Sequence, residues 1–274
     1  MKHTLLNFKQ AELLEDLIAK YGQVVSSSQI YDLFAVKLGK QQVKNMITQL
    51  VKHGWLIRIK RSCYEIASLS SRGFSQLSPY KVANLLAKNS YVSFATALNY
   101  YGFFNQLTSE VLSLSLKRQR AVKIDQTTYS FVQSKADYFF GWQEVEFDQH
   151  LVKIARPEKA LIDLIHFHRS RHAVDLVIEV IRDQQHDLCM LSCQTYLAKM
   201  SITTIKIFGL IFDLLGIDSS ALYDSIEARR GTHRMFADAD KFNAKWRLYY
   251  DSYFDRYQSV ETNNDQSAKC VFTS

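Results

Sequence analysis

The sequence predicts an α+β fold: a small N-terminal unit of three helices closed by a hairpin, then a larger mixed α/β domain with a helical C-terminal part. Three observations predict it. Between Lys40 and Ile66 a helical apolar period gives way, at Gly54, to a β-branched and aromatic run. Between Glu110 and Ala155 short alternating stretches read as strands. From Pro157 onward apolar residues recur at three- and four-residue steps, the period of helices.

The N-terminal unit is expected to span residues 1–72. Residues 10–21 form a first helix, with Leu13, Leu14, Leu17, Ile18 and Tyr21 inward and Gly22 closing it. Ser26, Ser27 and Ser28 offer N-caps to a second helix, SQIYDLFAVKL, with Ile30, Leu33 and Phe34 inward. Gly39 marks a sharp turn. In the third helix Val43, Met46, Ile47, Leu50 and Val51 share one face. Lys40, Lys44, Thr48 and Lys52 descend another, with Gln41, Gln42 and Asn45 beside them. Gly54 ends this helix. The run WLIRIKRSCYEI divides at Lys60-Arg61-Ser62, so it reads as a hairpin with a basic tip. Three short helices followed by a hairpin is the order of a winged helix-turn-helix.

That order suggests a chemistry. Burying Ile47 or Leu50 contributes about 1.5–3 kcal/mol each, so the apolar face decides how the third helix docks. Its polar face is left for a partner. Lys40, Gln41, Gln42, Lys44, Asn45 and Thr48 suit the major groove of double-stranded DNA, Gln and Asn being matched to adenine edges. Arg58, Lys60 and Arg61 suit phosphates. The bland reading, an amphipathic helix with a solvated face, is weakened by the charge distribution. Residues 1–72 hold 11 Lys/Arg against 5 Asp/Glu, whereas the other 202 residues hold 23 against 22. The field is therefore local, and its sign attracts nucleic acid. If Lys40, Lys44, Lys52, Arg58, Lys60 and Arg61 all met phosphate, log affinity would fall with log salt at a slope of about −5.

Residues 67–78 are Ser-rich without a period and read as a linker. The second domain is expected over 79–258. PYKVANLLAK has proline at its first helical position, and Ser93 caps a short helix that Gly102 terminates. EVLSLSL, TTYSFV, VEF and HLVKIA are strands. RPEKALIDLIHF begins a helix at Pro157, with Glu158 as a first-turn charge and Asp163 as a solvated acid. AVDLVIEVIRD, LSCQTYLAKM, ITTIKIFGLIFDLLG and SSALYDSIEARRG carry helical stripes, and KFNAKWRLYYDSYF reads as a closing strand. Residues 259–274 read as a flexible tail. Lys117, Arg118 and Arg120 form a basic turn and a candidate accessory DNA contact; Arg229, Arg230 and Arg234 form another basic turn.

Other chemistries find less support. No G-x-S-x-G, P-loop or G-x-G-x-x-G is present, so neither an enzyme nor a cofactor is expected. His166, His168, His172, His186, Cys189 and Cys193 fall close together but match no familiar zinc spacing, so no metal is expected. Four scattered cysteines argue against a disulfide framework. The longest apolar run is interrupted by Lys206 and Asp213, and no secretory signal is visible, so a cytoplasmic chain away from membranes is expected.

Several stretches, in this order, resemble the AbiEi family of bacterial type IV antitoxins. GWLIRIKRSCY is similar to that family's wing, YVSFATALNYYGF to its aromatic helix, and VKIARPEKALIDL to its Ala-x-Pro-Glu-Lys-Ala segment. The resemblance covers roughly residues 10–165 and is looser beyond, in the helices and in KWRLYY. Ser62 departs from it by standing where the wing usually has glycine, and Arg156 by standing where a small cap is usual. The resemblance implies an autorepressor that binds inverted repeats in its own promoter, and an antitoxin opposing a nucleotidyltransferase-like toxin, a system of the phage-defence kind. It also implies that the C-terminal part carries antitoxicity. The residues alone leave open a stand-alone regulator whose larger domain senses a small molecule, and a metal-dependent enzyme built on the His/Cys cluster.

Overall fold

The computed structural model describes residues 6–35, 38–69, 73–106, 109–147, 150–226 and 231–258. The expected flexible tail, 259–274, lies outside the described residues, as do Arg229 and Arg230. The fold is mixed α+β. The chain divides into two compact units, 1–97 with 106–155 and 98–105 with 156–274. Among the described residues no helix is long and apolar enough to cross a membrane.

The first unit begins with α1 (Phe8–Tyr21), β1 (Val24–Ser26), α2 (Ser27–Phe34), α3 (Lys40–Lys52), β2 (Leu56–Lys60) and β3 (Cys63–Ile66). The helix starts follow from side-chain caps. Asn7 accepts from the Gln10 backbone N–H, and Gln10 accepts from that of Asn7. Ser26 and Gln29 make the same reciprocal pair at α2. Gly22 and Gly54 stand at positive φ, 79° and 74°, where a Cβ would be strained. Gly39 does not; it caps α3 in ordinary extended backbone. Leu17, Val25, Ile30, Phe34, Val43, Leu50, Leu56 and Ile66 close a shared core. Ile18, expected inward, is exposed, because α1 is covered along one stripe only, the line of Leu13, Leu14 and Leu17. The strands form an antiparallel sheet in the order β1-β3-β2. The short strand β1 was not expected.

The same unit carries α4 (Pro79–Leu86), β4 (Ser90–Val92), β5 (Glu110–Ser115), β6 (Val122–Ile124), β7 (Thr127–Gln133), β8 (Trp142–Phe147) and β9 (His150–Ala155). Six strands pair in the order β6-β7-β5-β4-β9-β8. β5 with β7 and β4 with β9 are parallel, and the remaining neighbours are antiparallel. β4 and β6, three residues each, were not expected; strands this short leave little periodicity to read. The expected linker is tethered rather than loose. Glu65, fully buried, accepts from the Ser75 hydroxyl at 2.5 Å and the Gln76 backbone N–H at 2.8 Å, while Asp125 accepts from the Ser75 backbone N–H.

After α5 (Phe94–Tyr100), the second unit holds α6 (Pro157–Phe167), α7 (Arg171–Asp183), α8 (Met190–Leu197), α9 (Ile202–Leu214) and α10 (Ser220–Ile226). A small sheet follows, β10 (His233–Arg234), β11 (Lys241–Asn243) and β12 (Leu248–Tyr250), ordered β10-β12-β11. The expected closing strand is thus two antiparallel strands about a turn at 244–247, where Arg247 takes φ 48°. The turn drives Trp246, fully buried, against Gly209 of α9. Its indole N–H donates to Asp213, which also accepts from Lys245.

Asp163 is not a solvated acid. It and Lys159 are both fully buried and ion-paired one turn apart on α6. Burial pushes the Lys159 ammonium down and the Asp163 charge opposes that shift. Glu158 is also buried and accepts from the Cys189 backbone N–H at 2.7 Å. Arg156 caps α6 with no side-chain hydrogen bond, leaving the start of the helix to Pro157.

Candidate nucleic-acid interface

The sequence-selected residues of α3 lie on its exposed side. Val43, Met46, Ile47 and Leu50 face the core. At about 100° per residue, the line opposite that face runs through Gln41, Asn45, Thr48 and Lys52. All four are exposed, as are Lys40, Gln42 and Lys44. Lys44 stands about 70° from that line, and Lys40 and Gln42 each stand about 100° round the helix from Gln41 on its two sides. A helix of 13 residues is about 20 Å long, enough to lie along a major groove about 12 Å wide.

Two hydrogen bonds shape this surface. Gln41 Nε2 donates to Asn45 Oδ1 at 3.1 Å, so two amides one turn apart form a single polar unit. The Thr48 hydroxyl donates to the Lys44 carbonyl at 2.9 Å, leaving its methyl to offer outward.

Beside α3 stands the β2–β3 hairpin. Its register pairs Leu56 with Ile66, Arg58 with Tyr64 and Lys60 with Cys63, with an irregularity between Arg58 and Lys60. Ile59 and Tyr64 are buried, and Arg58 projects outward. Arg61 and Ser62 form the tip. Ser62 takes φ 61°, a left-handed conformation that the glycine usual in the resembled family would adopt without strain. Its carbonyl accepts from the Ser27 backbone N–H at the start of α2, which holds the tip in place. Arg61 is exposed. Lys60 is placed differently: half-buried, it donates through Nζ to the Leu85 carbonyl at the end of α4. That carbonyl belongs to the last turn of a helix, where a cation is favoured. Beneath the hairpin, burial pushes the Cys63 thiol up against the opposing Lys60 charge. Burial also raises the Glu65 carboxyl, against hydrogen bonds from Ser75, Gln76 and Leu77.

No protein-family model matches the chain, and no curated protein matches it. Its fold is similar to that in the crystal structure of the RV2827C protein from Mycobacterium tuberculosis. That match has a TM-score of 0.64 and 13% identity, and it covers 89% of this chain and 92% of that one. At that identity the likeness is one of fold.

The other sequence-selected groups lie on other elements. Lys117, Arg118 and Arg120 are exposed in the connection between β5 and β6, not on α3 or the hairpin. Arg234 is on β10, stacked 4.2 Å from the Tyr249 ring and donating to the Ala239 carbonyl. His166 shares a hydrogen bond with Thr204 at 2.9 Å, and Cys193 is buried. Among the described residues no group of three or more His, Cys, Asp or Glu is arranged to hold a metal.

A groove that sequence reading missed runs between α2 and α3, lined by Ser28, Tyr31, Asp32 and Ala35 with Lys40, Gln41 and Lys44. The signal was there: Ser28, Tyr31 and Asp32 of α2 and its cap Ala35 recur at i, i+3, i+4 and i+7 on the face opposite Ile30 and Phe34. Asp32 gives the groove a mixed field, with Lys40 and Lys44 on its other wall; the outer line of α3 is polar and mostly neutral, with Lys52 at its end, and Arg58 and Arg61 add charge from the hairpin.

Proposed function

We propose that residues 6–69 are a winged helix-turn-helix that binds double-stranded DNA, with α3 in the major groove and the hairpin on the phosphates. The observation that carries this reading is the outer surface of α3. It is exposed and polar, carries Lys40, Lys44 and Lys52, and is flanked by exposed Arg58 and Arg61 in a segment, 1–72, that holds 11 Lys/Arg against 5 Asp/Glu. We propose further that the chain is an AbiEi-like antitoxin and transcriptional autorepressor. It acts at inverted repeats in its own promoter and opposes a nucleotidyltransferase-like toxin. Support for this second step is the ordered set of sequence resemblances, above all Ala155-Arg156-Pro157-Glu158-Lys159-Ala160. Glu158 and Lys159 of that segment are buried in α6, so its role in this reading is to organise the second unit rather than to touch a partner.

Point variants of the full chain test both steps. Truncation at residue 79 would remove the hairpin that Lys60 anchors to α4. A Lys44→Ala/Arg58→Ala/Arg61→Ala variant is expected to lose binding to a duplex carrying its own promoter and still to rescue cells expressing the neighbouring toxin. Unchanged promoter binding refutes the interface. Binding lost but no rescue, even by wild type, refutes the antitoxin step and favours a stand-alone regulator.

A further inference from the structure

We infer that Gln41 and Asn45 act together as a single reader of one adenine, an inference that rests on the proposed placement of α3 in the major groove. Each amide carries one carbonyl oxygen and two donor hydrogens. The Gln41–Asn45 hydrogen bond consumes a donor hydrogen on Gln41 and an acceptor site on Asn45. The Gln41 oxygen then keeps both of its lone pairs and the Asn45 nitrogen both of its hydrogens, the wholly uncommitted acceptor and donor of the joined pair. Turning both amides over exchanges the two roles and again leaves one wholly uncommitted carbonyl oxygen and one wholly uncommitted amino group.

One base edge matches that set. In the major groove adenine offers the N6 amino donor beside the N7 acceptor. Guanine offers two acceptors, cytosine a donor without a neighbouring acceptor, and thymine an acceptor beside a methyl. Neither amide alone is held by the fold, since both side chains are exposed and neither is packed in the core. Joined, each restricts the other before DNA arrives, which lowers the ordering cost of recognition. The Thr48 hydroxyl is committed to the Lys44 carbonyl and does not compete for the same edge. Lys40 and Lys44 carry donors only, suited to guanine or phosphate. The amide pair is thus the part of α3 that discriminates A·T.

The test selects random duplexes with the full chain and sequences those bound, comparing wild type, Gln41→Ala, Asn45→Ala and the double variant. Both positions are exposed and alanine favours helix, so all four proteins fold. Wild type is expected to enrich adenine at one position of each half-site. Both single variants should lose that enrichment at the same position, and the double variant should lose no more than either. Changing that A·T pair to G·C should weaken wild type by about 5- to 150-fold and leave the double variant unchanged. The inference is overturned if either variant keeps the preference, if the two lose it at different positions, or if the enriched base is guanine. Salt-dependent binding by wild type with no preference overturns the adenine reader and spares the DNA-binding reading. Absence of duplex binding by wild type overturns both.

Discussion

Lys60 and Arg61 are neighbours in sequence and opposites in the structure, and their difference can be measured. Six basic groups between Lys40 and Arg61 were candidates for phosphate. Five of them, Lys40, Lys44, Lys52, Arg58 and Arg61, are exposed, whereas Lys60 is committed to the Leu85 carbonyl. With about 0.9 counterions released per phosphate contact, five contacts give a log–log salt slope of about −4.5 and six about −5.4. Arg61→Ala should therefore make the slope shallower by about 0.9. Between 50 and 200 mM salt that change amounts to about 3.5-fold in relative affinity. Lys60→Met keeps the aliphatic stem and removes the charge. It should leave the slope unchanged and lower stability by about 1–3 kcal/mol, the cost of a charged hydrogen bond to a part-buried carbonyl. Fluorescence anisotropy of a labelled promoter duplex across that salt range gives the slope, and urea unfolding gives the stability. A Lys60→Met protein that melts like wild type and shows the same slope loss as Arg61→Ala would refute the assignment: Lys60 would then be a phosphate contact.

Other sites give sharper tests of the second unit. A Cβ on Gly209 would come under 3.0 Å from three Trp246 ring carbons, and the ring is held in place by its bond to Asp213, so Gly209→Ala should cost about 1–3 kcal/mol or more in urea unfolding. Wild-type stability in that variant would mean the helix and the indole are not in contact. Lys159→Met strands the buried Asp163 carboxylate and should cost about 3–5 kcal/mol, while Lys159→Met/Asp163→Leu should recover most of the loss. A double variant no better than the single would argue against a compensating pair. Burial, with the Lys159 and Arg169 charges, pushes His166 down to about 4 from 6.5. The unfolded chain thus binds the extra proton, and stability is full above pH 6.5 and lost as pH falls toward 4. His166→Gln should flatten the urea midpoint between those pH values, and an unaltered pH profile would contradict the burial of this ring.

What was legible in the sequence follows the length of each element. α3, with 13 residues and a clean apolar stripe, could be placed from Val43, Met46, Ile47 and Leu50, and its end from Gly54. α6 was legible from Pro157 and the stripe through Leu161 and Ile165. β1, β4 and β6, at three residues each, offer no full alternation, and their existence depends on strands distant in sequence. KFNAKWRLYYDSYF was misread for a related reason. Its aromatics suit strands throughout, and only the contact of Trp246 with Gly209 forces the turn between Asn243 and Leu248. A glycine in the middle of an apolar helix was the one local sign of that contact.

The site was legible to a different degree at each step. Exposure of Lys40, Lys44, Arg58 and Arg61 follows from periodicity, because a residue opposite a buried stripe has nowhere else to go. Commitment does not follow from periodicity. Lys60 alternates with Ile59 and Arg61 just as a hairpin residue should, yet its partner is a carbonyl 25 residues away, at the end of another helix. Asp163, taken by itself, reads as a solvated acid; its partner Lys159, one turn back on α6, is buried with it. Gln41 and Asn45 reverse the pattern. Their contact is local, at i and i+4, and so was available from the sequence, but what it does to the donors and acceptors left over appears only once the bond is drawn. A charged surface sets where a polyanion can settle, and these few local bonds decide which of its groups remain free to read it.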